Sequence, residues 1–423
     1  MTSDPIVTIN AQEAYVWIWL PGKTNPVVAG RLYDAGVSPQ RYFFAYGRSY
    51  LDRPNAIPLS PYELPLRRGP QEPQGMNTIP GCLRDSGPDA WGRRVLESTY
   101  GESRLGELDY LLLSRSDRIG ALDFQASSSN YQERISETVT MDHLLEAAEL
   151  VEKRLPLPPD LEKAALHGSS VGGARPKALI DDNGKQLISK FSTSTDTYDV
   201  VRAEFVAMRL AKACGLNVAE VKLTKSMGKD VLLVERFDRV VKERQWHRKH
   251  MLSALSLMLL DSMEARYASY IELADRVRQR FANPETTLRE LFARISFNIL
   301  VGNTDDHARN HAAFWNGEFL VLTPAYDICP QARAGGEASQ AMDIEGTRGR
   351  FSTLDNVRSV CERFMLSRDD ATRLINQQHR AIVDQWEGTC DDAELPKGER
   401  ERLWNGAVLN PFCFQDWTLP SQR

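Results

Sequence analysis

The sequence predicts an α+β fold of two lobes with a cleft between them, preceded by an additional β-rich N-terminal subdomain. Three observations carry that expectation. Residues 14–70 alternate short apolar and polar runs broken by Pro and Gly, as in a small antiparallel sheet. Between residues 168 and 238 strand-like runs flank a single amphipathic helix. Beyond residue 250 the pattern turns mostly helical. A β-rich half followed by a helix-rich half leaves a crevice at the junction, where ligands commonly bind.

Composition narrows the function. A chain of 423 residues exceeds one ordinary core, and 42% hydrophobic with 26% charged residues suits a soluble globular protein. A net charge of −5 and a pI near 5.9 argue against a broad direct grip on a nucleic-acid backbone, so contact with DNA is expected only through a partner. The six cysteines, Cys82, Cys214, Cys329, Cys361, Cys390 and Cys413, are scattered and form no CxxC pair, which fits a reducing cytoplasm. The N-terminus lacks the basic flank and apolar core of a leader. The most apolar stretch, residues 251–260, is too short to cross a bilayer. A cytoplasmic protein without membrane contact is expected.

In chain order, AYVWIWL, VVAGRLYD and RYFFAYG supply the first strands. Helices are expected from PDAWGRRVLE at residue 88 to residue 110, and again over 140–166 around the turn LPLPP at 155–159. This first region reads as a packing module. The loop GSSVGGARPK then leads to a strand (KALI), the turn DDNG and a second strand (QLISKF), with Asn183-Gly184 a strong two-residue hairpin signal. A helix follows from Asp199 to Cys214, closed by Gly215. Two strands, around NVAEVKL and DVLLVERFD, are divided by MGKD. Helices are expected over 251–263, 269–282, 286–301, 353–364 and 368–386. The implied units are 1–150, 151–238 and 239–423.

The segment VGNTDDHARNHAAFWNGEFLVLTPAYDICP is the most informative. A helix delivers the chain to a polar loop in which Asp305 and Asn310 have the spacing D-x-x-x-x-N. A hairpin turned by Asn316-Gly317 then returns to Asp327, flanked by Tyr326 and Ile328. Phosphoryl transfer needs one carboxylate to take the proton of the attacking hydroxyl. It also needs an amide and a second carboxylate to hold Mg²⁺ against nucleotide phosphates. Asp305 is therefore the expected catalytic base, with Asn310 and Asp327 as metal ligands. Asp306 competes for the base, though only Asp305 has the spacing to Asn310. His307 and His311 form H-x-x-x-H, but the metalloprotease pattern needs Glu after the first His, where Ala308 stands. His307 is expected to order the loop.

ATP also needs a seat. Adjacent Gly172 and Gly173 let backbone N–H groups approach phosphate, with donors from Val171, Gly172, Gly173, Ala174 and Arg175 and charge from Lys177. The loop matches neither common nucleotide motif and is a weak signal alone. Strand alternation puts Leu187, Ser189 and Phe191 on one face and Ile188 with Lys190 on the other. Lys190 is unusual in so apolar a strand, and a phosphate would justify it; Glu204 on the next helix is a candidate partner. The strand VLLVERFDR suits a hinge between lobes, with Glu235, Arg236 and Phe237 at an adenine.

Taken in order, PDAWGRR, SSVGGARPK, LISKF, VERFDR, NTDDHARN and TPAYDI resemble the HipA family of kinase toxins from bacterial toxin–antitoxin modules. The resemblance covers most of the chain. It implies a bilobal protein-kinase-like fold with an N-terminal subdomain, ATP and Mg²⁺ as cofactors, and serine/threonine kinase activity. Nucleotide contacts are implied at Gly172 to Lys177, Lys190, Glu235 to Phe237, His307 to Asn310, Tyr326 and Asp327. It also implies self-phosphorylation of the glycine-rich loop at Ser170, with Ser169 as the alternative. The partners implied are a helix-turn-helix HipB-like antitoxin, through which operator DNA is touched, and a protein substrate of a kind that includes aminoacyl-tRNA synthetases. A small-molecule kinase and an inactive corepressor are the competing readings.

Overall fold

The computed structural model describes residues 10–101, 105–134, 139–170, 173–182, 184–331 and 336–419. The N-terminal strands β1 (Glu13–Ile18), β2 (Val27–Asp34) and β3 (Tyr42–Tyr46) form the expected antiparallel sheet. Alternation in β3 buries Tyr42, Phe44 and Tyr46 on one face. Helices α1 (Arg48–Leu51), α2 (Gly81–Arg84), α3 (Ala90–Tyr100) and α4 (Glu107–Leu113) follow. The chain then adds a fourth strand, β4 (Leu122–Gln125), giving the order β3-β2-β1-β4.

Asp123 in β4 is fully buried and gathers a polar knot. Its carboxylate accepts from Arg118 Nε at 2.8 Å, Arg134 Nη2 at 3.0 Å, Ser116 Oγ at 2.7 Å, Gln125 Nε2 at 2.9 Å and Tyr131 Oη at 3.0 Å. Buried charge is tolerable only with such partners.

Next come α5 (Met141–Glu152) and α6 (Pro159–Ala165), then β5 (Lys177–Asp182), β6 (Lys185–Phe191), α7 (Val200–Ala213), β7 (Val221–Ser226) and β8 (Lys229–Glu235). The strands form a second antiparallel sheet in the order β5-β6-β8-β7. β5 and β6 pair Asp182 with Lys185, leaving the two-residue loop expected; Asn183 itself lies outside the described residues. Asp199 caps α7 by accepting from the Arg202 N–H at 3.0 Å, and Gly215 past its end has φ +82°. The back of this sheet (Leu187, Phe191, Val231, Leu233) packs on Trp91, Val95, Leu144, Val151 and Leu161 from α3, α5 and α6.

The second half is not helical from the start. A hairpin of β9 (Arg239–Lys242) and β10 (Gln245–Arg248) precedes β11 (Met251–Ser253). The helix expected over 251–263 is thus corrected: β11 pairs with a later hairpin, and only α8 (Ala254–Leu257) is α-helical there. Ser253 ends the strand and caps α8, its Oγ accepting from the Ser256 N–H at 3.2 Å. Asp85 of the N-terminal unit accepts from Ser253 N at 2.7 Å and Oγ at 2.8 Å. An apolar run as short as this reads equally as buried strand or helix, and pairing decides.

The remaining elements are α9 (Tyr270–Arg280), α10 (Pro284–Val301), β12 (Ala312–Trp315), β13 (Leu320–Leu322), α11 (Leu354–Ser359), α12 (Arg368–Asp392) and α13 (Lys397–Leu403). Strands β11, β12 and β13 form a three-stranded sheet. Among the described residues, no helix is long and apolar enough to cross a membrane.

Candidate active site

α10 ends at Gly302, whose φ of +71° puts it in the left-handed region. A side chain here would also strike the Ala407 carbonyl, so glycine is required twice over. The chain then turns through residues 303–311. Asp305 is exposed, whereas Asp306 beside it is buried. The Asp306 carboxylate accepts from Tyr270 Oη at 2.6 Å and faces His311 Nε2 at 3.0 Å. Burial opposes its charge, but His311 and Tyr270 keep the carboxyl below the usual range. Asp306 therefore anchors the loop, and Asp305 looks into the cleft. Asn310 Nδ2 donates to the Asp305 carbonyl at 3.2 Å, and the Asn310 N–H donates to the His307 carbonyl at 2.8 Å.

β12 and β13 then carry the chain out and back. Their connection is the four residues 316–319 rather than a two-residue turn, with Asn316 Oδ1 accepting from Glu318 N at 2.9 Å and Phe319 N at 2.8 Å. The return brings Asp327 to the cleft with φ +59°. Asp tolerates this region better than most residues, and such backbone strain gathers at functional sites. Tyr326 Oη donates to the Arg309 carbonyl at 2.6 Å, tying the two loops together.

On the opposite wall, Lys190 of β6 faces the cleft as alternation predicts. Its ammonium meets Glu204 Oε1 of α7 at 2.5 Å and also pairs with Asp327. Burial disfavours the Lys190 charge, yet Asp327 and Glu204 together hold it protonated. Lys190 in turn keeps the Asp327 carboxyl far below the usual range. Burial pushes Glu204 upward, with Lys190 pulling it back. Lys177, at the start of β5, is buried, and burial followed by the neighbouring Lys190 lowers its pKa.

Gly173 is held from the N-terminal unit. Its N–H donates to Asp89 Oδ2 at 2.8 Å, and its carbonyl accepts from the Trp91 N–H at 3.0 Å. Its φ is +112°, and a Cβ there would collide with the Lys177 ammonium. Val171 and Gly172 lie outside the described residues. Ser170 and Ser169 are both buried. Ser170 Oγ donates to Asp117, and Ser169 Oγ donates to the Leu166 carbonyl at 2.8 Å.

After β8, the Arg236 guanidinium donates to Asp238 Oδ2 at 2.8 Å and to the carbonyls of Asp117 and Arg118 at 2.7 Å. Arg239 reaches the same loop at the Gly120 carbonyl, 2.7 Å away. The Phe237 ring sits 5.5 Å from that of Tyr326.

One cavity of about 430 Å³ gathers these groups. Gly173, Ala174, Arg175, Lys177, Lys190, Glu235, Arg236, Phe237, Asp305, His307, Asn310, Tyr326 and Asp327 all line it, while Ser170 does not. Sequence reasoning missed a further set. Asp85, Asp89 and Ile119 reach the cavity from the supposed packing module, as does Met251 from the second half. The only hint was Asp89 at the head of a helix, which reads as an ordinary cap.

Among the described residues, no group of three or more His, Cys, Asp or Glu side chains is arranged to hold a metal alone. Mg²⁺ seldom needs one, because it takes one or two carboxylates together with nucleotide phosphates. The donors present fit that pattern: Asp327 and Asn310 on one wall, with the Lys177 and Lys190 cations opposite.

An antiparallel sheet with a lysine–glutamate pair, hinged to a helical lobe that presents Asp305 and Asp327 across the gap, is the kinase-like α+β architecture. Residues 23–125 match the HipA N-terminal domain and residues 169–386 match the HipA-like C-terminal domain. The chain belongs to the HipA family. It is 29% identical over 183 residues to the serine/threonine-protein kinase toxin HipA of Shewanella oneidensis, a stretch spanning 38% of this chain and 42% of the toxin. A Sinorhizobium fredii protein named as a candidate kinase, Y4mE, is 30% identical over 319 residues, 67% of this chain and 71% of its own length. The fold matches a solved Shewanella oneidensis complex of HipA, HipB and operator DNA with a TM-score of 0.71 at 20% identity, covering 95% of this chain and 97% of that one.

Proposed function

We infer that the chain is an ATP-dependent serine/threonine kinase acting as the toxin of a toxin–antitoxin pair. The observation that carries the reading is Asp305, free in the cleft, beside Asn310 and across from the Lys190–Glu204 pair. Asp305 accepts the proton of the attacking hydroxyl, a base role suited to an exposed carboxylate at the cavity. Lys190 and Lys177 hold phosphate oxygens. Asn310 and Asp327 would hold Mg²⁺, whose charge would offset that of the phosphates. The backbone from Glu235 to Phe237 seats the adenine. The acceptor is a bacterial protein, and a HipB-like helix-turn-helix antitoxin brings the chain to operator DNA in the cytoplasm.

Ser170 is the self-phosphorylated residue in this reading. A phosphate there would face Asp117, and like charges in a buried seat repel, so the loop must leave it. Mass spectrometry after incubation with Mg-ATP is expected to find phosphoserine at Ser170. The Ser170→Ala chain is expected to keep ATP binding and escape self-inactivation. An unmodified chain that consumes a small alcohol instead would identify a small-molecule kinase.

The pH profile tests the base directly. Partial loss of solvent on the cleft side raises the Asp305 carboxyl even though the side chain remains exposed, with His307 opposing and Asp327 and Asp306 reinforcing. The base must be deprotonated, so kcat/KM should fall as pH drops through a value above the usual ~3.9 of aspartate. An acid limb at or below that value in the free enzyme would contradict the assignment.

A further inference from the structure

We propose that Asp89, in the N-terminal unit, is a positioning residue that clamps the glycine-rich loop over the cleft and couples it to the catalytic loop. The inference rests on the ATP-site reading above and extends it to a unit that lies outside the two lobes.

Asp89 stands at the N-cap of α3, where an aspartate normally accepts from its own helix's N–H groups. Here it makes no such bond. Both oxygens are spent elsewhere. Oδ2 accepts from the Gly173 N–H at 2.8 Å, and Oδ1 meets Arg309 Nη1 at 3.0 Å. The helix end that forgoes its own cap is served by the loop instead, since the Gly173 carbonyl accepts from the Trp91 N–H at 3.0 Å. Gly173 and the 89–91 segment thus bond each other reciprocally. A third tie, from Trp91 Nε1 to the Lys177 carbonyl at 3.0 Å, fixes the loop's far end.

Arg309 extends the link to the other lobe. It lies one residue before Asn310, and its Nη2 donates to Ser262 Oγ at 2.6 Å. Its carbonyl accepts from Tyr326, the neighbour of Asp327. One carboxylate therefore touches the phosphate-side loop and the metal-side loop together. Glycine at 173 gives the approach its closeness but brings no side chain of its own to hold that point of the loop. Asp89 supplies the missing anchor. A positioning group of this kind should act on ATP affinity and phosphate alignment rather than on overall stability.

The test uses the full chain with Asp89→Ala, Asp89→Asn, Arg309→Ala and the Asp89→Ala/Arg309→Ala pair. Three quantities are read: Mg-ATP affinity by calorimetry, hydrogen exchange of the 168–178 segment without nucleotide, and the melting midpoint. Loss of a hydrogen bond to a charged group predicts roughly tenfold weaker ATP binding for Asp89→Ala. Loop exchange should quicken while the melting midpoint stays in place. Asp89→Asn keeps an acceptor for Gly173 and should fall between. The double variant should be no worse than Asp89→Ala, because the two residues act as one unit. Loop exchange and ATP affinity both unchanged in Asp89→Ala would overturn the proposal. A fall in melting midpoint that accounts for the whole loss of affinity would overturn it equally. A parent chain that binds no ATP would sink the kinase reading, and unchanged loop exchange in Asp89→Ala would still decide against the clamp.

Discussion

Asp305→Ala is expected to abolish phosphoryl transfer while leaving ATP binding and folding close to those of the parent. General-base catalysis contributes about a hundred- to ten-thousandfold, so turnover should fall by that order. The side chain is exposed, and nothing in the packed interior depends on it. Its neighbour gives the control. Asp306 is buried against Tyr270 and His311, so Asp306→Ala should unfold the loop and lower the melting midpoint as well. Labelled phosphate transfer, run beside ATP titration and thermal melts, separates the two. Near-normal turnover in Asp305→Ala would end the assignment of the base.

Asp123→Ala is expected to be the most destabilising single change in the N-terminal unit. Removing one partner of a buried ion pair costs about 3–5 kcal/mol because the other charge stays buried and uncompensated. Here two guanidiniums, Arg118 and Arg134, lose their carboxylate at once. The pH dependence has a definite sign. Burial raises the Asp123 carboxyl, but Arg134 and Arg118 outweigh it and bring the pKa down to about 2. The unfolded value is higher, near ~3.9. This contribution is therefore fully present above about pH 4 and disappears as pH falls toward the folded value. Denaturant melts of parent and variant should differ most at neutral pH and converge in acid. A gap that persists unchanged at pH 2 would contradict the ion-pair account.

The candidate site's share of the second half was largely legible because its residues are local in sequence. D-x-x-x-x-N, the following hairpin and Asp327 lie within a short span, and Lys190 announced itself by breaking an apolar alternation. Gly215 and Asp199 ended and began α7 where their conformational preferences require. The β9–β10 hairpin stayed hidden because its turn uses Glu243 and Arg244, at φ +51° and +63°, where Asn or Gly would have signalled it. Residues 251–253 read as helix because two apolar positions, Met251 and Leu252, are too few to carry a period. Asp89 and Ile119 were invisible as site residues for another reason: what they meet lies far away in the chain. Arg309 and Asp89 are 220 positions apart, and nothing in either neighbourhood names the other.

The guanidiniums of Arg236 and Arg239 have a practical corollary. Both spend their N–H groups on the carbonyls of residues 117–120, which belong to the opening unit rather than to the lobes the arginines join. A chain trimmed to begin after residue 138 would strip those acceptors from two interior cations and bare the apolar rear of the β5–β8 sheet where Trp91 and Val95 rest. The smallest portable unit that keeps the candidate site intact is therefore nearly the whole chain.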